Sequence, residues 1–227
     1  MSAGREYRTE DLLGPLNEVE KRYAPERLFA DGDVELLGAT IRVSIVGTRT
    51  PTPIGLRRAA RLARELAELD VVVVSGLARG IDREAHVEAM ESGGRTIAVI
   101  GTPLDRVYPP EHTELQLRIA RDQLVVSQFA PGFTGGSWVF PARNRTMALL
   151  SHATVIVEGG KKSGAISQGW EALRLGRPLF LLKSLVESTA LGWPQELVRY
   201  GARALTDTRE LLDTLPARLS ATELDAF

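Results

Sequence analysis

Short runs of Val- and Ile-rich sequence recur along the chain: Arg42 to Val46, Val71 to Ser75, Thr96 to Ile100, Leu124 to Ser127, Thr154 to Val157 and Leu179 to Leu182. None alternates polar with apolar residues, so the strands they predict have no water-facing side and belong in a buried parallel sheet. The segments between them change period. "IGLRRAARLARELAEL" places apolar residues at helical spacing with arginines on the opposite face, and "DREAHVEAMES", "EHTELQLRIARD", "NRTMALLS" and "SQGWEALRLG" read as further helices. Gly176 before Arg177 and Pro178 is a helix stop. Strand and helix in alternation predict an α/β fold: a doubly wound, mostly parallel sheet with helices on both faces.

Residues 1–40 are mostly polar, with one helical stretch near "LNEVEKRYAPERLF", and are expected to form an N-terminal helical extension. Residues 41–205 form the core, and 206–227, with the amphipathic "DTRELLDTL", a C-terminal helical tail. The 227 residues are 44% hydrophobic with a formal net charge of -1, which describes an ordinary globular chain and excludes a uniformly basic one. With no cysteine and three scattered histidines, neither a thiolate site nor a cysteine nucleophile can form, and no metal or other cofactor is expected. No apolar leader or membrane-length run is visible, so a cytoplasmic location is expected.

In a doubly wound sheet the ligand crevice lies beyond the carboxyl ends of the strands. The turns there read "VGTRTPTPIG", "SGLARGIDREAH", "GTPLDRVYPPEH", "SQFAPGFTGGSWVFPARNR" and "EGGKKSG". Glycine lets backbone N–H groups approach a ligand, helix N-termini add positive partial charge, and Ser, Thr, Arg and Lys add donors, so these turns together predict a phosphate site. "GGKKSG" lacks the Walker spacing, and "GTRTPTPIG" is not a dinucleotide fingerprint, so neither a P-loop nucleoside triphosphatase nor an ordinary dehydrogenase fits. His86, four residues after Asp82, reads as a helix-surface hydrogen bond, and His152 as a helix cap. Asp105 and Tyr108 read as loop braces, and the arginine stripe of "RRAARLARELAEL" as a solvated face.

"VGTRTPTPIG", "VVSGLARGIDREAH", "GRTIAVIGTPLDRVYPPEH", "FPARNRTMALLSHATVIVE" and "SGAISQGWEALRLGRPLF", in this order from about Val43 to Ala202, resemble the Rossmann-like core of the DprA/Smf family, the DNA-processing proteins of bacteria. The resemblance implies a homodimer that binds single-stranded DNA in a basic pocket at the strand ends, protects it and assists loading of the RecA recombinase during transformation, without catalysis. Carried over by motif, the DNA- or phosphate-contacting positions fall on Gly47 and Arg49; on Ser75, Gly76, Arg79 and Gly80; on Arg143, Asn144 and Arg145; and on Lys162, Ser163 and Gly164. Phe129, Phe133, Trp138 and Phe140 either stack on bases or cover the end of the sheet.

The chain departs from the family pattern in several places. Pro103 stands where a glycine is usual, and His112 replaces an asparagine, which predicts a stiffer loop with one donor fewer. Gln128 replaces a glutamate, and "GAISQ" from Gly164 stands for Gly-Ser-Leu-x-Thr. Both ends of the chain look too short for the family's accessory modules, which predicts the core alone. Two other readings keep the fold: a sensor of a small nucleotide, and a phosphoribohydrolase resembling the LONELY GUY enzymes. For the latter Arg143 matches, but Gln168 stands where the catalytic glutamate belongs, and Glu171 reads either as a substitute carboxylate or, more simply, as a solvated helix residue.

Overall fold

The computed structural model describes residues 4–38 and 40–216. Nine strands make one sheet: β1 (Arg5–Arg8), β2 (Arg27–Gly32), β3 (Arg42–Gly47), β4 (Val72–Ser75), β5 (Thr96–Ile100), β6 (Leu124–Ser127), β7 (Ala153–Glu158), β8 (Leu179–Leu182) and β9 (Arg203–Leu205). Their spatial order is β1-β2-β6-β5-β4-β3-β7-β8-β9. From β6 to β9 every pairing is parallel, while β2 runs antiparallel to both β1 and β6. The fold is the mixed, mostly parallel α/β architecture that the apolar runs imply.

Alternate residues of each inner strand feed opposite cores. Val72, Val74, Ile97, Val99, Ile156 and Leu181 pack with Met147, Ala172 and Leu197 on one face, whereas Val43, Ile45, Val73 and Val155 pack with Leu62, Leu66, Ile81 and Ala85 on the other. The first face is covered by α6 (Val139–Leu149), α7 (Gly164–Arg174), the short α8 (Lys183–Val186) and α9 (Trp193–Arg199). The second is covered by α3 (Pro53–Glu68), α4 (Ile81–Glu91), α5 (Thr113–Asp122) and α10 (Thr208–Leu212). Helix α3 buries Ala59, Leu62, Ala63 and Leu66, leaving its arginines on the solvent side as its periodicity predicts.

The amino-terminal segment differs from the helical reading. Two short helices, α1 (Thr9–Leu13) and α2 (Glu18–Tyr23), are present, but α2 stops at Ala24. Pro25 cannot donate a helical hydrogen bond, and the "RLF" placed in the helix begins β2 instead. Arg42, 7% exposed, fixes this segment to the core. Its guanidinium donates to the carbonyls of Leu150, Leu37 and Thr40 at 2.7 to 2.9 Å and of Gly38 at 3.1 Å, and burial pulls its pKa down to about 10. At the other end, "DTRELLDTL" contributes α10, and residues 217–227 of the expected tail lie outside the described residues.

Helix α6 also begins earlier than its periodicity suggests. It starts at Val139 rather than at Asn144, with Pro141 in the first turn, where a missing N–H costs nothing. "FPARNR" is therefore helical, and Arg143, Asn144 and Arg145 point about 100° apart around one axis.

Candidate functional site

The chain order reverses between β3 and β7, and a cavity of about 380 Å³ opens beyond their carboxyl ends. Four of the turns singled out by sequence reach it. Gly47 and Arg49 come from the turn after β3, Asp82 from the start of α4, Arg143 and Asn144 from α6, and Lys162, Ser163 and Gly164 from the turn into α7. A smaller cleft beside it shares Arg49, Phe140 and Arg143 and adds Gly76, Arg79, Thr102 and Tyr108, so the two form one groove along the strand ends.

The helix N-termini at this edge are not equally open. At α3 the Glu158 carboxylate accepts from Thr52 N at 3.0 Å and from Thr52 Oγ1 at 2.8 Å, so an internal anion already occupies that position. At α4 the Asp82 carboxylate folds back to accept from Gly76 N at 3.2 Å. The start of α7, capped by Ser163 Oγ accepting from Ala165 N at 3.3 Å, borders the cavity directly with Lys162, Ser163 and Gly164.

Arg143 and Asp82 form the inner wall. Both are buried, with Arg143 Nη1 4.0 Å from Asp82 Oδ2 and donating to Val99 O at 3.2 Å. Burial pushes the Asp82 carboxyl above its ordinary range, opposed by Arg143 and by the backbone N–H groups of Ala78, Gly76 and Gly47. The Arg143 pKa is lowered by the same burial. Residue 76 must be glycine for this pair to form: a Cβ there would lie 1.3 Å from Arg143 Nη1. Arg143 is thus a charge set into the wall, not an exposed clamp. The exposed cations at the cavity are Arg49, whose guanidinium lies over the Phe140 ring at 5.4 Å, and Lys162.

The remaining sequence candidates brace the groove or turn away from it. Ser75 is buried beneath the turn, its hydroxyl donating to Ile45 O at 2.6 Å. Gly80, at φ +76°, makes the backbone bend at the start of α4 and packs on Thr48 and Pro51. Arg79 lines the smaller cleft and is paired with Glu111. Asn144 ties α6 to α7 by donating to Gly164 O at 3.3 Å. Arg145 leaves the cavity on the far side of α6: it meets Glu171 at 3.3 Å and lies over the Tyr23 ring at 5.4 Å.

Three histidines take roles their local sequence does not announce. His86 is fully buried, bonded through Nδ1 to Thr96 Oγ1 at 2.7 Å, and is not on the helix surface. His152 caps no helix; its Nδ1 accepts from Arg42 N at 3.0 Å while its backbone N–H donates to Arg42 O at 2.8 Å. His112 supplies the donor its loop was expected to lack, since Nδ1–H donates to Leu77 O at 2.9 Å and holds that residue at φ +55°. Tyr108 does brace, its ring centroid 5.4 Å from that of Phe140. Phe129 and Phe133 stack at 4.8 Å, with the half-exposed Trp138 ring roughly perpendicular to both at 5.8 Å, so these three pack on one another, and Phe140 alone of the aromatics in this loop and helix lines the cavity.

Asp82 and Gln168, named in the sequence reading but not counted among its site residues, both line the cavity. Each reaches the cavity wall from inside a helix, Asp82 in the first turn of α4 and Gln168 near the start of α7. The signal for Asp82 was its place just after "SGLARG", where a carboxylate can fold back onto glycine N–H groups.

Residues 9–216 match the family model described as DNA recombination-mediator protein A. The chain belongs to this family. Relatives include DNA processing protein DprA of Bacillus subtilis, 35% identical over 194 residues, 86% of this chain and 65% of that protein. DprA of Streptococcus pneumoniae is 36% identical over 189 residues, 83% of this chain and 66% of that protein. The chain thus spans about two thirds of these two relatives' length. Among solved structures, Streptococcus pneumoniae DprA superposes with a TM-score of 0.83 at 33% identity, covering 94% of this chain and 75% of that one. DprA from Helicobacter pylori, whose structure addresses a single-stranded DNA binding mode, gives 0.77 at 30% identity, with 94% and 97% covered. A molybdenum cofactor carrier protein of Chlamydomonas reinhardtii, at 0.53 and 20% identity over 77% of this chain and 99% of that one, shares the fold alone.

Proposed function

We propose that this DprA-family chain binds single-stranded DNA in the groove beyond β3 and β7, without catalysis, as a cytoplasmic recombination mediator. The observation that carries the reading is the asymmetry of the cavity: Asp82 and Arg143 compensate one another in the wall, while Arg49, Lys162 and the start of α7 stand at its opening with charge to spare for phosphates. The groove continues past Phe140 to Arg79, which suits a strand more than a single nucleotide. Protection of the strand, assistance to RecA and homodimerisation belong to the same proposal, and membership of the family supports them.

The hydrolase reading is weaker on this geometry. Glu171 is held in ion pairs with Arg145 and Arg174 at 3.3 and 3.1 Å and does not line the cavity, while Gln168, which does, has no charge to stabilise a cationic sugar. Filter binding with a labelled oligonucleotide against a panel of mononucleotides, at two salt concentrations, tests the proposal. Oligonucleotide binding that weakens with salt is expected, whereas binding of a mononucleotide alone, or release of a free base, would overturn it.

A further inference from the structure

A separate cavity, of about 310 Å³, lies beyond the carboxyl ends of β8 and β9, where Leu182 and Leu205 close those two parallel strands. It shares no lining residue with the groove, and its walls come from α3, α10 and the start of α8. Leu62, Leu182 and Leu205 give it an apolar floor, with Leu62 and Leu205 rooted in the core on the α3 side of the sheet. The rest of its lining is polar and charged.

Those charges are not all answered. Arg61 Nε donates to Glu65 Oε1 at 2.6 Å and Thr208 donates to the other Glu65 oxygen, so that pair is complete within the fold. Arg58 forms no ion pair among the described residues; its guanidinium donates to Ser184 Oγ at 2.7 Å, which holds it at the cavity. Lys183, next to Ser184, is exposed and 3.6 Å from an exposed Glu187, a pairing that contributes little. Two cations and a hydroxyl therefore meet from α3 and α8 with charge to spare for one phosphate group. No glycine among the described residues lines the cavity to cradle a longer phosphate chain. Asp207 Oδ1 accepts from Arg209 N at 2.8 Å and caps α10, while its other oxygen accepts nothing from the described residues. A carboxylate just past the end of a parallel strand is suited to a sugar hydroxyl.

Inorganic phosphate would leave the leucine floor in water, and a purely apolar molecule would leave Arg58 unanswered. A ring, a hydroxylated sugar and a single phosphate in one molecule satisfy all three parts, and the volume is that of a small-ligand pocket. We infer that this cavity binds a nucleoside monophosphate: the base on Leu62, Leu182 and Leu205, a ribose hydroxyl donating to Asp207, and the phosphate held by Arg58, Ser184 and Lys183. The site goes beyond the DNA reading and does not rest on it, since strand and nucleotide occupy different residues and bind together.

Equilibrium dialysis with labelled AMP, adenosine and ribose 5-phosphate, with and without a saturating single-stranded oligonucleotide, tests it. The native chain should bind one AMP whether or not the oligonucleotide is present, and adenosine and ribose 5-phosphate each about tenfold or more weakly. Arg58→Ala, and independently Lys183→Ala, should weaken AMP about tenfold, the worth of a charge-assisted hydrogen bond, while Arg49→Ala should not change it. No binding of AMP, ribose 5-phosphate held as tightly as AMP, displacement of AMP by the oligonucleotide, or a loss that follows Arg49 rather than Arg58 overturns the inference. AMP binding that depends on Arg58 in a chain that holds no oligonucleotide supports this site and overturns the DNA reading alone.

Discussion

Arg143 and Arg49 border the same cavity under opposite physical conditions. Arg143 is 5% exposed, wedged over Gly76, with its charge answered by Asp82 and a carbonyl. Arg49 is exposed and rests over the Phe140 ring, and no ion pair among the described residues involves it. A charge in the first setting shapes the wall and holds the fold; a charge in the second remains available to a polyanion. The difference teaches that arginines from neighbouring family motifs need not do the same work, and it can be tested by disturbing each setting in turn.

The largest effect should come from Arg143→Ala, which strands Asp82 in the wall and should lower unfolding free energy by about 3 to 5 kcal/mol, read as a fall in the urea midpoint. Arg49→Ala should stay within about 0.5 kcal/mol of the native chain in the same experiment. Equal losses would erase the distinction between wall and rim.

The layer beneath the wall should respond to acid. Burial, with His112 and Arg143 nearby, pulls the His86 pKa from 6.5 to about 3, and burial with Arg42 and Arg177 pulls His152 to about 4. Between these values and 6.5 the unfolded chain binds protons that the folded chain refuses, so stability is complete above pH 6.5 and falls as pH drops. From pH 6.5 to 4 the His86 share is on the order of 3 kcal/mol. His86→Asn, whose amide nitrogen can take the place of Nδ1 against Thr96, should flatten the slope of unfolding free energy against pH. A slope unchanged by the substitution would show that His86 titrates freely.

Gly76→Ala should cost less, about 1 to 3 kcal/mol, because the added carbon displaces the Arg143 guanidinium rather than removing it. Combined with Arg143→Ala the alanine should cost little further, since the atom it meets is gone. Thermal melting of the two single variants and the double variant reads this directly.

The wall was harder to read than the rim for a physical reason. Buried parallel strands are continuous apolar runs, so β3 to β8 were legible within a residue or two, and with them the edge on which Gly47, Arg49 and Lys162 to Gly164 lie. The strands β1, "REYR", and β9, "RAL", are short and largely exposed, and carry no such run. Likewise β2 is broken from the helical pattern before it only by Pro25. Arg145 looked equivalent to Arg143 until "FPARNR" proved helical, when its direction followed from the 100° step. Asp82 and Gln168 act across the sheet edge on elements distant in sequence, and no local spacing encodes such a meeting.

The smallest effect on the fold carries the most weight for function. The slope of log binding constant against log salt, measured for a single-stranded oligonucleotide with the native chain, Arg49→Ala and Lys162→Ala, counts the phosphates each side chain neutralises. Each rim substitution should weaken binding and make the slope shallower by about 0.7, with melting temperature nearly unchanged. A native slope near zero, or slopes identical in all three proteins, would contradict the account.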